Sequence, residues 1–203
     1  MQVFPFSLLL SLFIFSFSTS MTPGPNNIML MSSGLTFGYR KTLPHILGVV
    51  LGFPLMTVFV GLGLGELFQN IPHLFNILKV AGTFYLLWLA WHIAKSKPKL
   101  KESDPNSKPL GFYKIVFFQW VNVKNWIKII TATSVYVTSS SDYSMQVIII
   151  SLIFFSTVVI SANSWAIAGS VLQKLVKSDK GITRFNTTMA VLLVASIVPT
   201  FIK

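Results

Sequence analysis

Thr22-Pro23-Gly24-Pro25-Asn26-Asn27 interrupts an apolar run that begins at Val3. Neither proline has an N–H to donate, and each ring clashes with the carbonyl four residues back, so a continuous helix does not pass through this segment. An unbroken helix from Val3 to Gly38 would also be about 50 Å long at 1.5 Å per residue, more than one bilayer crossing needs. The segment predicts a helix to about Ser20, an unwound elbow, and a shorter helix from Asn26 to about Phe37, with Pro25 suited to its first turn. Backbone groups freed by such a break find partners in hydrocarbon only from protein or a water-filled cavity. The Asn26 and Asn27 amides and the Thr22 and Ser20 hydroxyls can satisfy some of them. The new helix N-terminus offers partial positive charge to an anionic group. On residue chemistry alone two readings stay open: an intramembrane elbow, or an interfacial turn leading into a surface helix.

Working outward, five further apolar runs follow: Leu43–Gly65, Phe75–Ala94, Phe112–Val137, Gln146–Leu172 and Asn186–Ile202. Each approaches or exceeds the roughly 20 residues that cross about 30 Å of hydrocarbon. Composition agrees. Of 203 residues 53% are hydrophobic and only 10% charged, against about 25% charged in a soluble domain. The expected fold is an all-α integral membrane protein of six transmembrane helices. The first run resembles a signal peptide at Ser18-Thr19-Ser20, but its start has no basic residue, and a signal peptide needs one; it is expected to stay as a helix.

Composition also removes several function classes. With no cysteine, disulfide scaffolds, Cys-based zinc sites and iron–sulfur clusters are excluded. The five acidic residues, Glu66, Glu102, Asp104, Asp142 and Asp179, leave little for a carboxylate metal site. No HExxH, GxSxG or paired intramembrane carboxylates occur. No enzyme, metal site or cofactor is therefore expected.

The net charge of +11 is explained by where the bases lie. The connections alternate without a break: Arg40 and Lys41; then Glu66 and no base; then Lys95, Lys97, Lys99, Lys101, Lys108 and Lys114; then Asp142 and no base; then Lys174, Lys177, Lys180 and Arg184. By the positive-inside rule the basic connections are cytoplasmic and both termini face outside. Twelve of the sixteen basic residues then lie on the cytoplasmic side, and no nucleic-acid partner is implied. Lys95–Pro109 reads as a cytoplasmic tether that can also meet anionic lipid headgroups. It divides one transporter domain, residues 1–203, into a first half (1–94), a linker (95–111) and a second half (112–203). Three spans per half make the halves insert in opposite orientations, the 3+3 inverted-repeat plan of many transporters.

The fourth run carries a matching anomaly, Gln119-Trp120-Val121-Asn122-Val123-Lys124-Asn125-Trp126-Ile127-Lys128. Lys124 lies ten residues beyond Lys114, about 15 Å along a helix axis, too deep for easy snorkelling. A charge at the bilayer centre costs at least about 2.5–3.5 kcal/mol, and no acid lies inside any predicted span to pair with it. Hydration in a cavity or an anionic partner meets that cost; a span starting nearer Val121 would instead leave both lysines at the interface. Both breaks fall in the first helix of a half, where paired broken helices mark a transporter's binding site. The candidate substrate-binding residues are Pro23, Gly24, Pro25, Asn26, Asn27, Asn122 and Lys124, with Lys124 and the Pro25–Asn27 helix start holding a carboxylate. Lys128, one turn further on, is expected to lie past that site. His45 could relay protons, but an interfacial histidine is the reading favoured. Gly48, Gly52, Gly61, Gly63 and Gly65 read as close helix packing, and the five tryptophans as anchors and packing.

At these residues the sequence resembles the LysE/RhtB family of amino-acid exporters. The matching pieces run in order: Thr22–Asn27; Gly34-Leu35-Thr36-Phe37-Gly38-Tyr39-Arg40; Leu47-Gly48 with Gly52; Leu78-Lys79-Val80-Ala81-Gly82 leading to Tyr85-Leu86-Leu87-Trp88-Leu89; Phe118–Lys124; and Phe185-Asn186. The resemblance implies efflux of amino acids or their derivatives across a bacterial inner membrane, driven by the proton gradient. The family usually has Asn-Pro-Lys in the fourth span; Val123 replaces that proline, so a less kinked helix is expected. Many members carry an acid after the second-span glycine; Phe53 stands there instead. With the Gln-Trp-Val-Asn stretch, this resembles the branch of cysteine and O-acetylserine exporters and implies a small neutral amino acid as substrate. The alternative is a passive anion or small-solute channel lined by Lys124 and Lys128. Monomer and homodimer both stay open.

Overall fold

The structure is a computed structural model describing residues 5–64, 72–95, 109–137, 142–175 and 179–195. Among these residues the chain is helical, with no strand. Eight helices follow in order: α1 (Phe6–Met21), α2 (Pro25–Phe37), α3 (Tyr39–Phe59), α4 (Pro72–Lys95), α5 (Phe112–Val121), α6 (Val123–Tyr136), α7 (Tyr143–Leu175) and α8 (Asp179–Ala195). α3 runs on into a wide turn over Val60–Leu64. The linker residues 96–108, with Lys97, Lys99, Lys101 and Lys108, lie outside the described residues, as do Gly65, Glu66 and the chain beyond Ala195.

The surface is inverted relative to a soluble protein. Leu43, Leu47, Leu51, Leu55 and Phe59 recur every four residues along α3, each 40% or more exposed. That spacing keeps them on one helix face. Ile77, Phe84 and Trp91 on α4 and Ile148, Leu152 and Ile160 on α7 are exposed in the same way. Ser16, Ser20, Asn27, Thr57, Gln119, Asn122, Asn125, Gln146, Thr157 and Asn186 are buried. An apolar exterior around a polar interior is what a lipid solvent selects. By length and hydropathy α3 with its turn (Tyr39–Gly63) and α7 (Tyr143–Gln173) can each cross a membrane, and the α1–α2 pair, bent by 52°, makes a third crossing if taken as one.

The long α7 is the hub and packs on α1, α2 and α3; α3 also packs on α5, and α4 on α8. Small residues set the closeness. A Cβ on Gly34 would lie 2.3 Å from Ala166 O, and one on Gly169 would lie 2.0 Å from Met31 O, so α2 and α7 meet backbone to backbone. The packing expected of the α3 glycines holds at Gly48 and Gly52, which face α5, and at Gly61, which faces Val147; Gly63 has nothing within 4 Å. Gly38 joins α2 to α3 at φ 77°, the left-handed region glycine tolerates.

The break expected in the fourth run is present, at Asn122 (φ −83°, ψ 98°), and it needs no proline, because side chains compete for the backbone there. His45 does not lie open at the mouth of its span. It is fully buried, since the preceding helix α2 folds back over the start of α3 and covers it.

Candidate functional site

The first elbow follows from its residues. Thr22 closes α1, its N–H and hydroxyl both donating to Ser18 O (3.1 and 2.6 Å). Thr22 and Gly24 are extended, and Pro25 opens α2. Freed carbonyls are met by Asn27 Nδ2, which donates to Ser20 O at 2.6 Å and Thr22 O at 3.0 Å. Ser161 Oγ of α7 adds a bond to Ser20 O at 2.7 Å.

The second elbow solves the same problem with other chemistry. Asn122 caps α6 by accepting the Lys124 N–H at 3.2 Å, as an N-cap asparagine does. The carbonyls of Gln119 and Trp120 lose their helical donors and take Asn125 Nδ2 (3.2 Å) and Trp126 Nε1 (2.7 Å) instead. Asn27 and Asn125 thus fold back over the two elbows in the same way.

The elbows touch. Asn26 and Gln119 exchange amide hydrogen bonds, Nδ2 to Oε1 at 2.8 Å and Nε2 to Oδ1 at 3.2 Å. Lys124 Nζ donates to Thr22 O and Pro23 O, both at 3.2 Å. Gly24 makes room for this: a Cβ there would sit 2.8 Å from Lys124 Nζ. Between the elbows is a cavity of about 30 Å³, room for roughly two waters and too small for an amino acid.

Of the sequence-selected residues, Gly24, Pro25, Asn26, Asn27, Asn122 and Lys124 line this cavity, and Pro23 contributes its carbonyl. Lys128 lines it as well, against the expectation that it lies further on. Its Nζ donates to Ser20 Oγ at 3.0 Å and stands 4.4 Å from the Phe53 ring centre and 5.1 Å from that of Phe154. The break at Asn122 redirects α6, so one further helical turn leads inward. Asn125 and Gln119 were visible as polar residues in an apolar run; Phe53 and Ser161 carried no such signal.

A paired-elbow cavity with one buried and one half-buried cation, no carboxylate among the described residues that line it, and an apolar exterior suits a membrane translocator. The family model for LysE type translocators matches residues 17–197. The chain belongs to the LysE family. A Klebsiella pneumoniae cysteine/O-acetylserine efflux protein is 35% identical over 169 residues, 82% of this chain and 85% of the relative. Escherichia coli K12 and Shigella sonnei proteins of the same name are 32% identical over 189 residues, 93% of this chain and 94% of each relative. No solved structure matches. In this LysE-type chain the matched region includes both elbows, so the cavity lies within the family's shared part.

Proposed function

We propose that this chain is a secondary exporter of small neutral amino acids, of the cysteine, O-acetylserine or homoserine kind, driven by the proton gradient. In this reading six spans cross a bacterial inner membrane as a 3+3 inverted repeat with both termini outside. The observation that carries it is the contact of Lys124 Nζ with Thr22 O and Pro23 O. Those carbonyls form a subsite for an ammonium group, filled here by the protein's own lysine. An incoming amino acid places its ammonium on the two carbonyls and its carboxylate on the displaced Lys124. The amides of the first turn of α2, which have no intrahelical acceptor, and Asn122 complete the carboxylate's partners. The zwitterion is bound by exchange, and the small cavity widens around it.

This reading also explains how Lys124 is tolerated at depth without an acid, since backbone carbonyls hold it until a carboxylate arrives. The homologues' name supports the small neutral substrate, as does Phe53 in place of an acid. The chain length and the alternating basic connections support the six-span topology. A passive pore is disfavoured by a cavity of only about 30 Å³. The test is export of labelled cysteine from loaded cells with and without the gene. Gene-dependent export against a gradient that stops with an uncoupler is expected; equilibration indifferent to the uncoupler would establish a channel instead.

A further inference from the structure

Near the Phe37–Tyr39 corner and the α4–α5 connection, where the basic connections begin, the bundle holds a second, larger cavity. It is about 310 Å³ and is lined by Ser32, Ser33 and Thr36 of α2, His45 of α3, and Trp88 and His92 of α4 among others. Ser33 lies six residues beyond Asn27 on the same helix, about 9 Å from the elbow cavity. His45 is fully buried. Its Nδ1 is 3.0 Å from Ser33 Oγ, and its Nε2 has no partner among the described residues. A buried ring nitrogen left unpaired is unfavourable, and such an exception beside a mostly apolar cavity that Ser32, Ser33, Thr36 and His92 also line calls for a partner that comes and goes.

The geometry points to His45 as the group that carries the coupling proton of the export cycle, released through this cavity. The inference rests on the transport reading above and adds the site that reading lacks, since no acidic side chain lies within the described helical spans that line either cavity. With the protein open to the far side, the Nε2 lone pair takes a proton from water and the ring becomes an imidazolium. Its Nδ1–H donates to Ser33 Oγ. In the conformation described here the Nε2–H bond breaks, the proton passes to water in the 310 Å³ cavity, and the electron pair stays on nitrogen. An imidazole serves because its ordinary protonation range is near neutral pH.

α2 carries no titratable group. α3 itself carries Tyr39, Arg40 and Lys41, α4 carries His73, Lys79, Tyr85, His92 and Lys95, α5 carries Tyr113 and Lys114, α7 carries Tyr143 and Lys174, and α8 carries Asp179, Lys180 and Arg184. Of these only His92 is among the described residues that line the cavity, with Nδ1 2.9 Å from Trp88 O. His92 is exposed and already partnered, so it serves as the control.

The test uses the full chain reconstituted in liposomes with labelled cysteine, in two arms: exchange against internal cysteine without a gradient, and accumulation driven by an imposed pH difference. His45→Asn keeps a donor and acceptor opposite Ser33, and His45→Gln keeps one near Nε2. Both variants are expected to exchange within about twofold of wild type and to lose tenfold or more of the gradient-driven accumulation; His92→Gln keeps both activities. Retained exchange is itself the evidence of a folded site. Normal accumulation by both His45 variants overturns the inference, and so does loss of exchange in both, which makes His45 a packing residue. Wild type that exchanges but ignores the pH difference overturns it while transport stands. Wild type that does not exchange cysteine removes the transport reading and this inference with it.

Discussion

Lys124→Met separates a transport role from a structural one. The wild-type ammonium makes two bonds to elbow carbonyls, each 3.2 Å long. Thr22 O keeps Asn27 Nδ2 when the lysine is gone, but Pro23 O has no other donor among the described residues. Pro23 is exposed, so water can replace the lysine there and the loss is about 1 kcal/mol or less. Removing a charge from the membrane interior returns about 2.5–3.5 kcal/mol. The second term outweighs the first, so the variant is expected to insert normally and melt at or slightly above the wild-type temperature. Transport has no such compensation. A carboxylate that has lost its buried partner is destabilised by about 2–5 kcal/mol, which at 1.4 kcal/mol per decade is roughly 30-fold to several-thousand-fold in binding. Labelled cysteine exchange in proteoliposomes, read beside thermal unfolding of the same detergent-purified sample, measures both. Undiminished exchange refutes the carboxylate role, and a fall in melting temperature in proportion to the lost exchange shows the lysine to be a brace between the elbows.

Lys128→Met, at a side chain lining the same cavity, is expected to cut exchange at least tenfold with little change in melting, because methionine refills the space between Phe53 and Phe154; unchanged exchange would confine the site to Lys124. Pro25→Ala returns an N–H to the first elbow and should abolish export from loaded cells while leaving membrane insertion intact; full export would show that the break needs no proline. Gly34→Ala, which stabilises an ordinary helix by about 1 kcal/mol, should here destabilise by about 1–3 kcal/mol, since its Cβ would lie 2.3 Å from Ala166 O; a raised melting temperature would mean that α2 and α7 separate freely. Val123→Pro fits a first helical position preceded by an extended residue, and should hold exchange and raise the melting temperature slightly; loss of exchange would mean that residues 122–124 become helical during the cycle.

The first elbow was legible because proline acts locally. Two prolines flanking a glycine stop the helix here, whereas the widely spaced Pro44 and Pro54 stay inside α3, and the structure starts α2 at Pro25 and ends it at Phe37, as read. The second elbow was legible only as misplaced polarity. Its break rests on Asn122, Asn125 and Trp126 choosing particular backbone partners, and composition does not say which of several polar side chains will do so. Lys128 was misassigned for the same reason: position along a straight helix points past the site, and the redirected α6 brings it back. His45 could not be placed because its burial comes from α2 folding over it across the Gly38 corner, a tertiary contact with no local signature. The apolar runs located the helices, while the lengths of individual helices shifted by several residues as capping and packing decided their ends.

The chemical difference between the elbows has a mechanical consequence. The first is broken by covalent structure, since Pro23 and Pro25 can never supply the missing donors. The second is held open by hydrogen bonds, each with a net worth of about 0.5–1.5 kcal/mol. The contacts between the elbows are hydrogen bonds too: Asn26 with Gln119, Lys124 to Thr22 and Pro23, and beside them Lys128 to Ser20. Opening the cavity therefore means exchanging a handful of these bonds for bonds to substrate and water, a change of a few kcal/mol, the range in which two conformations can both be populated. The fixed elbow supplies carbonyls and helix amides at constant positions. The hydrogen-bonded elbow carries the two lysines, whose long side chains can follow a carboxylate as it enters and leaves. A proline-broken half that defines the binding surface, facing a half whose contacts can be exchanged, lets one cavity both recognise a zwitterion and release it.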